Sequence, residues 1–397
     1  MTLPISPRRS ELAGAAFLMA TSAIGPGFLT QTAVFTSRLG ADFAASILIS
    51  AVFDVAVQLT IWRVMVASSR RAPDLANAVL FGSGSALTLV IVLGGLMFNI
   101  GNVAGAGLGL ESMIGLDTRI GAVLSAVFAC GIFLVRRAMF AMDRFAQVMG
   151  AVMIATTLFV VWNTAPPLSE AALRMFAPQH FDIQATLTLV GGTVGGYITF
   201  AGGHRLLDAG FAGAAAVPRA TFSATLGIAV ATTMRVLLFL AALGVVSQHG
   251  ALDAQNPAAS VFTVALGNLG TRLFGVVMWA AAITSVIGSA YTSVSFLRFG
   301  FPGSSMNTLL EQHNAKIIVG FIIVSTAIFL VVGKPVQTLV VAGLVNAFVI
   351  PFAVGIMLFA ARKTALVGNY RHPVWLTVSG GAVAVLLFGM SIYALLP

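Results

Sequence analysis

Residues Ala23–Thr32 read AIGPGFLTQT, inside an apolar stretch that begins at Leu12. The Gly25-Pro26-Gly27 run breaks a helix: proline lacks the backbone donor, and glycine costs ~1 kcal/mol against alanine in a helix interior. The flanks nevertheless have the apolar length of a membrane span. No water repairs freed backbone groups in hydrocarbon, so an unwound segment at that depth is tolerated only against protein or a water-lined cavity. The stretch therefore marks a place where a membrane helix is opened for a purpose.

The chain of 397 residues is 58% hydrophobic and 8% charged, with a mean hydropathy of +1.00. Soluble proteins carry ~25% charged residues, so this is an all-α integral membrane protein. Its long apolar runs exclude a β-barrel, whose short strands alternate. The opening MTLPISPRRSEL reads as a retained cytoplasmic tail, since it lacks a small-residue cleavage site. The single Cys130 excludes an internal disulfide and argues against metal–thiolate chemistry.

A span needs roughly 20 apolar residues. About eleven are expected, near 12–37, 43–66, 85–108, 118–135, 145–162, 186–204, 221–246, 272–297, 315–332, 336–361 and 374–396. With the N-terminus inside, the cytoplasmic segments hold Arg8, Arg9, Arg70, Arg71, Arg136, Arg137, Arg144, Arg205, Arg219, Arg298, Lys316, Arg362, Lys363 and Arg371. The outer segments hold Arg38, Arg119, Arg174, Arg272 and Lys334. That bias follows the positive-inside rule and places the C-terminus outside. It also accounts for the net charge of +9, which then reports topology and not nucleic-acid binding. The expected location is a bacterial-type inner membrane.

The loops at about 163–185 and 299–314 contain no phosphate-binding glycine loop. No nucleophile–base pair or metal-binding histidine set stands at membrane depth, so the chain reads as a transporter and not an enzyme, with no cofactor. Its expected partners are a small-molecule or ion substrate and the lipid bilayer, with no obligate protein partner.

A second interrupted run, LVGGTVGGYITFAGGHRL, spans Leu189–Leu206. Gly191/Gly195 and Gly192/Gly196 also fit close helix packing. A sharper reading compares positions: the breaks fall in spans 1 and 6, equivalent places in two five-span halves. Paired interruptions point to an inverted repeat with the substrate between the broken helices. The expected architecture is one transmembrane domain over 1–397, with repeat one at about 12–162, repeat two at about 186–361, and an extra span at 374–396.

With these features the sequence resembles the Nramp family of divalent-metal transporters, over roughly 12–361. The resemblance implies a LeuT-type 5+5 inverted repeat with discontinuous helices 1 and 6. Where the family has Asp-Pro-Gly-Asn, this chain has Gly25, Pro26, Gly27 and Phe28. The family's Gly-Ala-Thr-Val-Met-Pro-His corresponds to Gly191-Gly192-Thr193-Val194-Gly195-Gly196-Tyr197. Asn99 and Asn102, with Gly105 following, stand where the family has two acids, and Gly343 falls at a span-10 glutamine. The carboxylate, amide and thioether ligands suited to manganese or iron are thus replaced. A metal would be left with backbone carbonyls and waters, which suit magnesium or manganese only as an alternative.

Arg235, in the middle of span 7, is the informative addition. A charge at that depth costs at least ~2.5–3.5 kcal/mol on insertion scales and faces a cavity or a partner. One reading pairs it with Asp54 or with free carbonyls at the span 6 break; another lets it snorkel. The third makes it a fixed cation for a carboxylate, which its planar fork binds bidentately. Positive helix ends at both breaks would favour the same charge. The expected substrate is a small carboxylate-bearing or zwitterionic solute; the resemblance adds a cyclic acid such as 5-oxoproline. Candidate binding residues are Gly25, Pro26, Gly27, Phe28, Thr30, Gly192, Gly195, Gly196, Tyr197, Asn99, Asn102 and Arg235. Gln31, Thr193, Thr199 and Asn346 are polar residues able to complete the site. His204, Arg205, Asp208, Asp54 and Asn346 are candidates for gating or coupling, with an Arg205–Asp208 pair at i,i+3 as the plainer reading of that end.

Overall fold

The computed structural model describes residues 24–300 and 312–394, with the side chains of 136–140, 143 and 298–300 left out. The expected opening of span 1, the N-terminal tail and most of the 299–314 loop lie outside the described residues. The rest is helical. The chain runs α1 (Pro26–Leu39), α2 (Phe43–Ser68), α3 (Ala72–Val79), α4 (Ser83–Ile114), α5 (Thr118–Leu134), α6 (Arg136–Thr164), α7 (Leu168–Phe176) and α8 (Ile183–Val194). It continues with α9 (Tyr197–Asp208), α10 (Val217–His249), α11 (Pro257–Gly300) and α12 (Asn314–Val332). The last elements are α13 (Pro335–Ala347), α14 (Ile350–Arg362), α15 (Thr364–Val367) and α16 (Val374–Tyr393).

Among the described residues, eight stretches are long and apolar enough to cross a membrane. The difference from eleven has physical causes. Pro26–Ser68 is a single apolar stretch holding both α1 and α2, which part at Gly40; Thr118–Leu134 is a shorter apolar helix. The stretch expected at 186–204 is two helices of 12 residues each, neither long enough alone. The expected loop at 163–185 contains α7, whose Arg174 lies within ion-pair reach of Asp42.

Two long helices depart from the expected spans. The span placed at 272–297 begins instead at Pro257 and kinks at Gly267 (φ 59°, ψ −149°), a backbone state that a missing Cβ makes accessible. The span placed at 336–361 is interrupted between Ala347 and Ile350. Pro351 cannot donate to the carbonyl four residues earlier, so α13 stops and α14 restarts with proline at its second position.

The break between α8 and α9 occurs where the glycines stand. Gly195 is extended (φ −76°, ψ 155°) and Gly196 takes φ 51°. A Cβ at Gly196 would overlap Asn346 Oδ1, so the turn requires glycine on two counts. The Trp62 indole donates to Thr199 O at 2.7 Å, and Thr199 Oγ1 donates to Val194 O at 2.6 Å, satisfying two carbonyls beside the gap. At the other break, Gly25 caps α1 without a side-chain bond and Pro26 fills the first helical position, where no donor is needed. Gly105 on α4 has no Cβ to collide with Pro26, so the two helices meet closely there.

Candidate functional site

A narrow cavity lies where α1, α2, α8 and α10 converge. It has room for about one water-sized group and is lined by Phe28, Ser50, Asp54, Thr193, Thr232 and Arg235, among others. Helical spacing puts these side chains together: Ile47, Ser50, Ala51 and Asp54 share one face of α2, and Ala231, Thr232 and Arg235 one face of α10.

Arg235 is 3% exposed. Its Nη1 donates to Thr193 Oγ1 at 2.9 Å, and the Thr193 hydroxyl in turn donates to Leu189 O at 2.7 Å. Its Cζ lies 4.2 Å from the Phe28 ring centroid, a cation–π contact in a dry setting. Nε and Nη2, the edge that grips a carboxylate bidentately, have no hydrogen-bond partner. Asp54 is 2% exposed, faces the same cavity, and has an unpartnered Oδ1. The expected Asp54–Arg235 ion pair is corrected: the two do not come within the 4.0 Å of a salt bridge. Snorkelling is likewise replaced by a fully enclosed guanidinium.

The helix ends are also corrected. Phe28 sits in the first turn of α1, so a positive end borders the cavity there. From the second break, however, the cavity receives Thr193 at the carbonyl end of α8, while Tyr197 at the start of α9 does not line it. A negative helix end beside Arg235 helps to hold the buried cation.

Of the expected binding residues, the structure brings Phe28 and Arg235 into the cavity, together with Asp54 from the gating set. Gly25, Pro26, Gly27, Gly192, Gly195 and Gly196 shape the backbone at the breaks without lining it. Thr30 is buried with its hydroxyl unpartnered, away from the cavity. Asn99 lies elsewhere: its Nδ2 donates to Ser325 Oγ at 2.8 Å, and Ser289 Oγ donates to its Oδ1 at 2.8 Å. Tyr197 packs edge-on to Phe98 with its hydroxyl toward Asn102 and Ser289. These residues join α4, α9, α11 and α12 in a separate polar cluster. Asn346 donates to Gly94 O and Ala342 O at 3.0 and 2.8 Å, tying α13 to α4.

At the end of α9, His204 stacks on Phe296 and its Nε2 accepts the Ala72 N–H at 3.4 Å. Asp208 pairs with Arg71, which corrects the expected Arg205–Asp208 pair; Arg205 is exposed. Outside the spans, burial and then the Arg63 charge hold the His372 imidazole down at about 4. Ser50 and Thr232 were not singled out from the sequence. Their signal was the i−4 and i−3 spacing to Asp54 and Arg235.

Residues 16–397 match the family described as natural resistance-associated macrophage protein-like. The chain belongs to the Nramp-like family. It is 52% identical over 386 residues to YcsG, an uncharacterised membrane protein of Bacillus subtilis, covering 97% of this chain and 94% of that one. An uncharacterised membrane protein of Haemophilus influenzae is 50% identical over 383 residues, covering 96% and 95%. The divalent metal cation transporter MntH of Aeromonas hydrophila is 24% identical over 307 residues, covering 73% and 72%. A point mutant of the Eremococcus coleocola manganese transporter superposes with a TM-score of 0.73 at 16% identity, covering 99% and 89%. The fold is thus that of an Nramp transporter, the LeuT-type arrangement implied by the resemblance. This Nramp-like protein is a multi-pass membrane transporter and not an enzyme.

Proposed function

We propose that this Nramp-like transporter moves a small carboxylate-bearing solute, anionic or zwitterionic, and that the carboxylate docks on Arg235. The observation that carries this reading is the buried guanidinium whose Nε and Nη2 stand unpartnered at a cavity. An unmade hydrogen bond from a buried charged donor costs more than the ~1–3 kcal/mol of a neutral one, so the site is incomplete without an acceptor. The cavity as it stands has room for about one water-sized group and not for a carboxylate, and Phe28 covers the guanidinium. Occupancy therefore involves movement of that ring. The charge bias supports a cytoplasmic N-terminus in an inner membrane as part of the same proposal.

A second reading is a divalent cation, manganese or magnesium. Two relatives carry metal-transporter names, and the carbonyl oxygens of Gln31 and Asn346 are buried without donors near the α8–α9 break. Against it, no group of three His, Cys, Asp or Glu side chains gathers among the described residues.

Thermal unfolding of the purified protein with L-lactate, 5-oxoproline, L-proline, manganese or magnesium separates the two. A ligand at 100 times its Kd adds ~2.7 kcal/mol of apparent stability. Stabilisation by a carboxylate and by neither metal is expected. Arg235→Gln abolishes it, weakening binding about 100-fold or more, and the ligand-free melting temperature does not rise, because Asp54 loses its countercharge and Thr193 and Phe28 lose their contacts with the guanidinium. Stabilisation by metals alone overturns the carboxylate reading.

A further inference from the structure

Asp54 and Arg235 share one low-dielectric cavity without touching, and when both are ionised their charges cancel. The elements packed on α2 bring other titratable groups: Arg38 from α1, Glu170 and Arg174 from α7, and Tyr197, His204, Arg205 and Asp208 from α9. Arg219 and His249 come from α10, Arg362 from α14 and Tyr393 from α16, with Asp42 in the turn before α2 and Arg63 on α2 itself. Of these and Arg235, Arg235 alone lines the cavity with Asp54. Among the described residues, the charge inside is therefore set by these two side chains and by what enters.

A monocarboxylate docked on Arg235 would leave one uncompensated negative charge in a water-poor space, a state that proteins avoid by shifting a proton. The carboxyl group available is Asp54, whose Oδ1 has no donor. Resting on the carboxylate reading above, we infer that Asp54 is the proton site of this transporter, taking up one proton with each monoanion so that the loaded cavity stays neutral. The proton comes from water on the entry side, binds a carboxylate oxygen of Asp54, and leaves to water on the release side with the solute. A zwitterion brings no net charge and recruits no proton. Substrate charge then sets the stoichiometry.

Linkage makes this measurable on the purified full chain, because a bound proton required for binding gives a Kd that depends on pH. L-lactate and 5-oxoproline, both fully ionised between pH 6 and 8, serve as monoanion probes, and L-proline as the zwitterion. The wild-type Kd for the monoanions rises up to tenfold per pH unit, while that for L-proline stays within about twofold. Asp54→Asn, which imitates the protonated acid, binds the monoanions with a flat pH profile and more tightly than wild type at pH 8. In proteoliposomes, wild-type uptake acidifies the lumen by one proton per monoanion and ignores an imposed potential. Asp54→Asn uptake moves no proton and follows the potential.

The wild-type slopes and lumenal pH decide the matter even where Asp54→Asn fails to fold. If a monoanion binds, depends on Arg235, and yet shows no pH slope or proton movement, the Asp54 assignment falls and the carboxylate site stands. Proton coupling that persists in Asp54→Asn overturns the assignment equally. If no carboxylate binds the wild type at any pH, both fall.

Discussion

The Arg235 cavity and the Asn99 cluster are both buried polar regions in the middle of an apolar bundle, and they are built on opposite principles. Around Asn99, the amide donates to Ser325 and accepts from Ser289, so both polar ends of its side chain are satisfied across three helices. Around Arg235, one nitrogen is satisfied by Thr193 and two are not, with Asp54 equally incomplete across a small space. A satisfied amide such as Asn99 ties helices together, even with Asn102 Nδ2 unpartnered nearby; donors left open around a space are the ground for proposing a ligand. The comparison is the ground for testing Asn99 as a packing residue, although both residues looked alike as polar groups within apolar spans.

The comparison can be broken at its frame first. Gly196→Ala forces a side chain onto a residue at φ 51° and into Asn346 Oδ1, with a cost of about 3 kcal/mol or more. Loss of most folded protein in detergent, followed by size-exclusion chromatography, is the expected result. A normal yield and melting temperature would show that the α8–α9 break can be rebuilt around a methyl group. Asn99→Ala then separates structure from binding. It leaves Ser289 and Ser325 without their shared partner and lowers stability by about 1 kcal/mol, within the range for hydrogen bonds between membrane helices. Carboxylate affinity by calorimetry should change less than about twofold; a tenfold loss would return Asn99 to the site. Phe28→Leu is the smallest and runs the other way. With no ring to displace from over the guanidinium, binding tightens by up to about fivefold, near 1 kcal/mol, with the melting temperature almost unchanged. An unchanged Kd would make Phe28 a packing residue.

Much of this was legible in the sequence. The two breaks stood out because glycine and proline have a local meaning that survives any tertiary context, and Gly195, Gly196 and Pro26 fall where the helices stop or start. Arg235 stood out because a charge at that depth has few explanations. Pairing was not legible. Arg205 and Asp208 have helical spacing, but Asp208 reaches Arg71 from another element, 137 residues away in sequence. Asn99 finds Ser325 at a separation of 226 residues. The interruption before Pro351 was visible in principle, yet hydropathy runs through it unbroken, and a window average merges α13 and α14. Hydropathy reads depth, and punctuation residues read local geometry. Neither records which side chains end up opposite each other.

Gln31 carries a consequence for how such sequences can vary. Its Nε2 donates to Leu339 O at 2.8 Å, and its amide fills space that a Cβ at Gly192 or Gly343 would enter, at 2.5 Å from Oε1 and 2.6 Å from Nε2 respectively. Gly343 is the position at which the family resemblance places a glutamine. By that resemblance, α1 of this chain places an amide where the family would place one from its tenth span. A side chain at residue 343 would meet Gln31 Nε2 at 2.6 Å and the Thr188 backbone carbonyl at 2.7 Å, so a chain that lengthens residue 343 must both shorten residue 31 and shift α8.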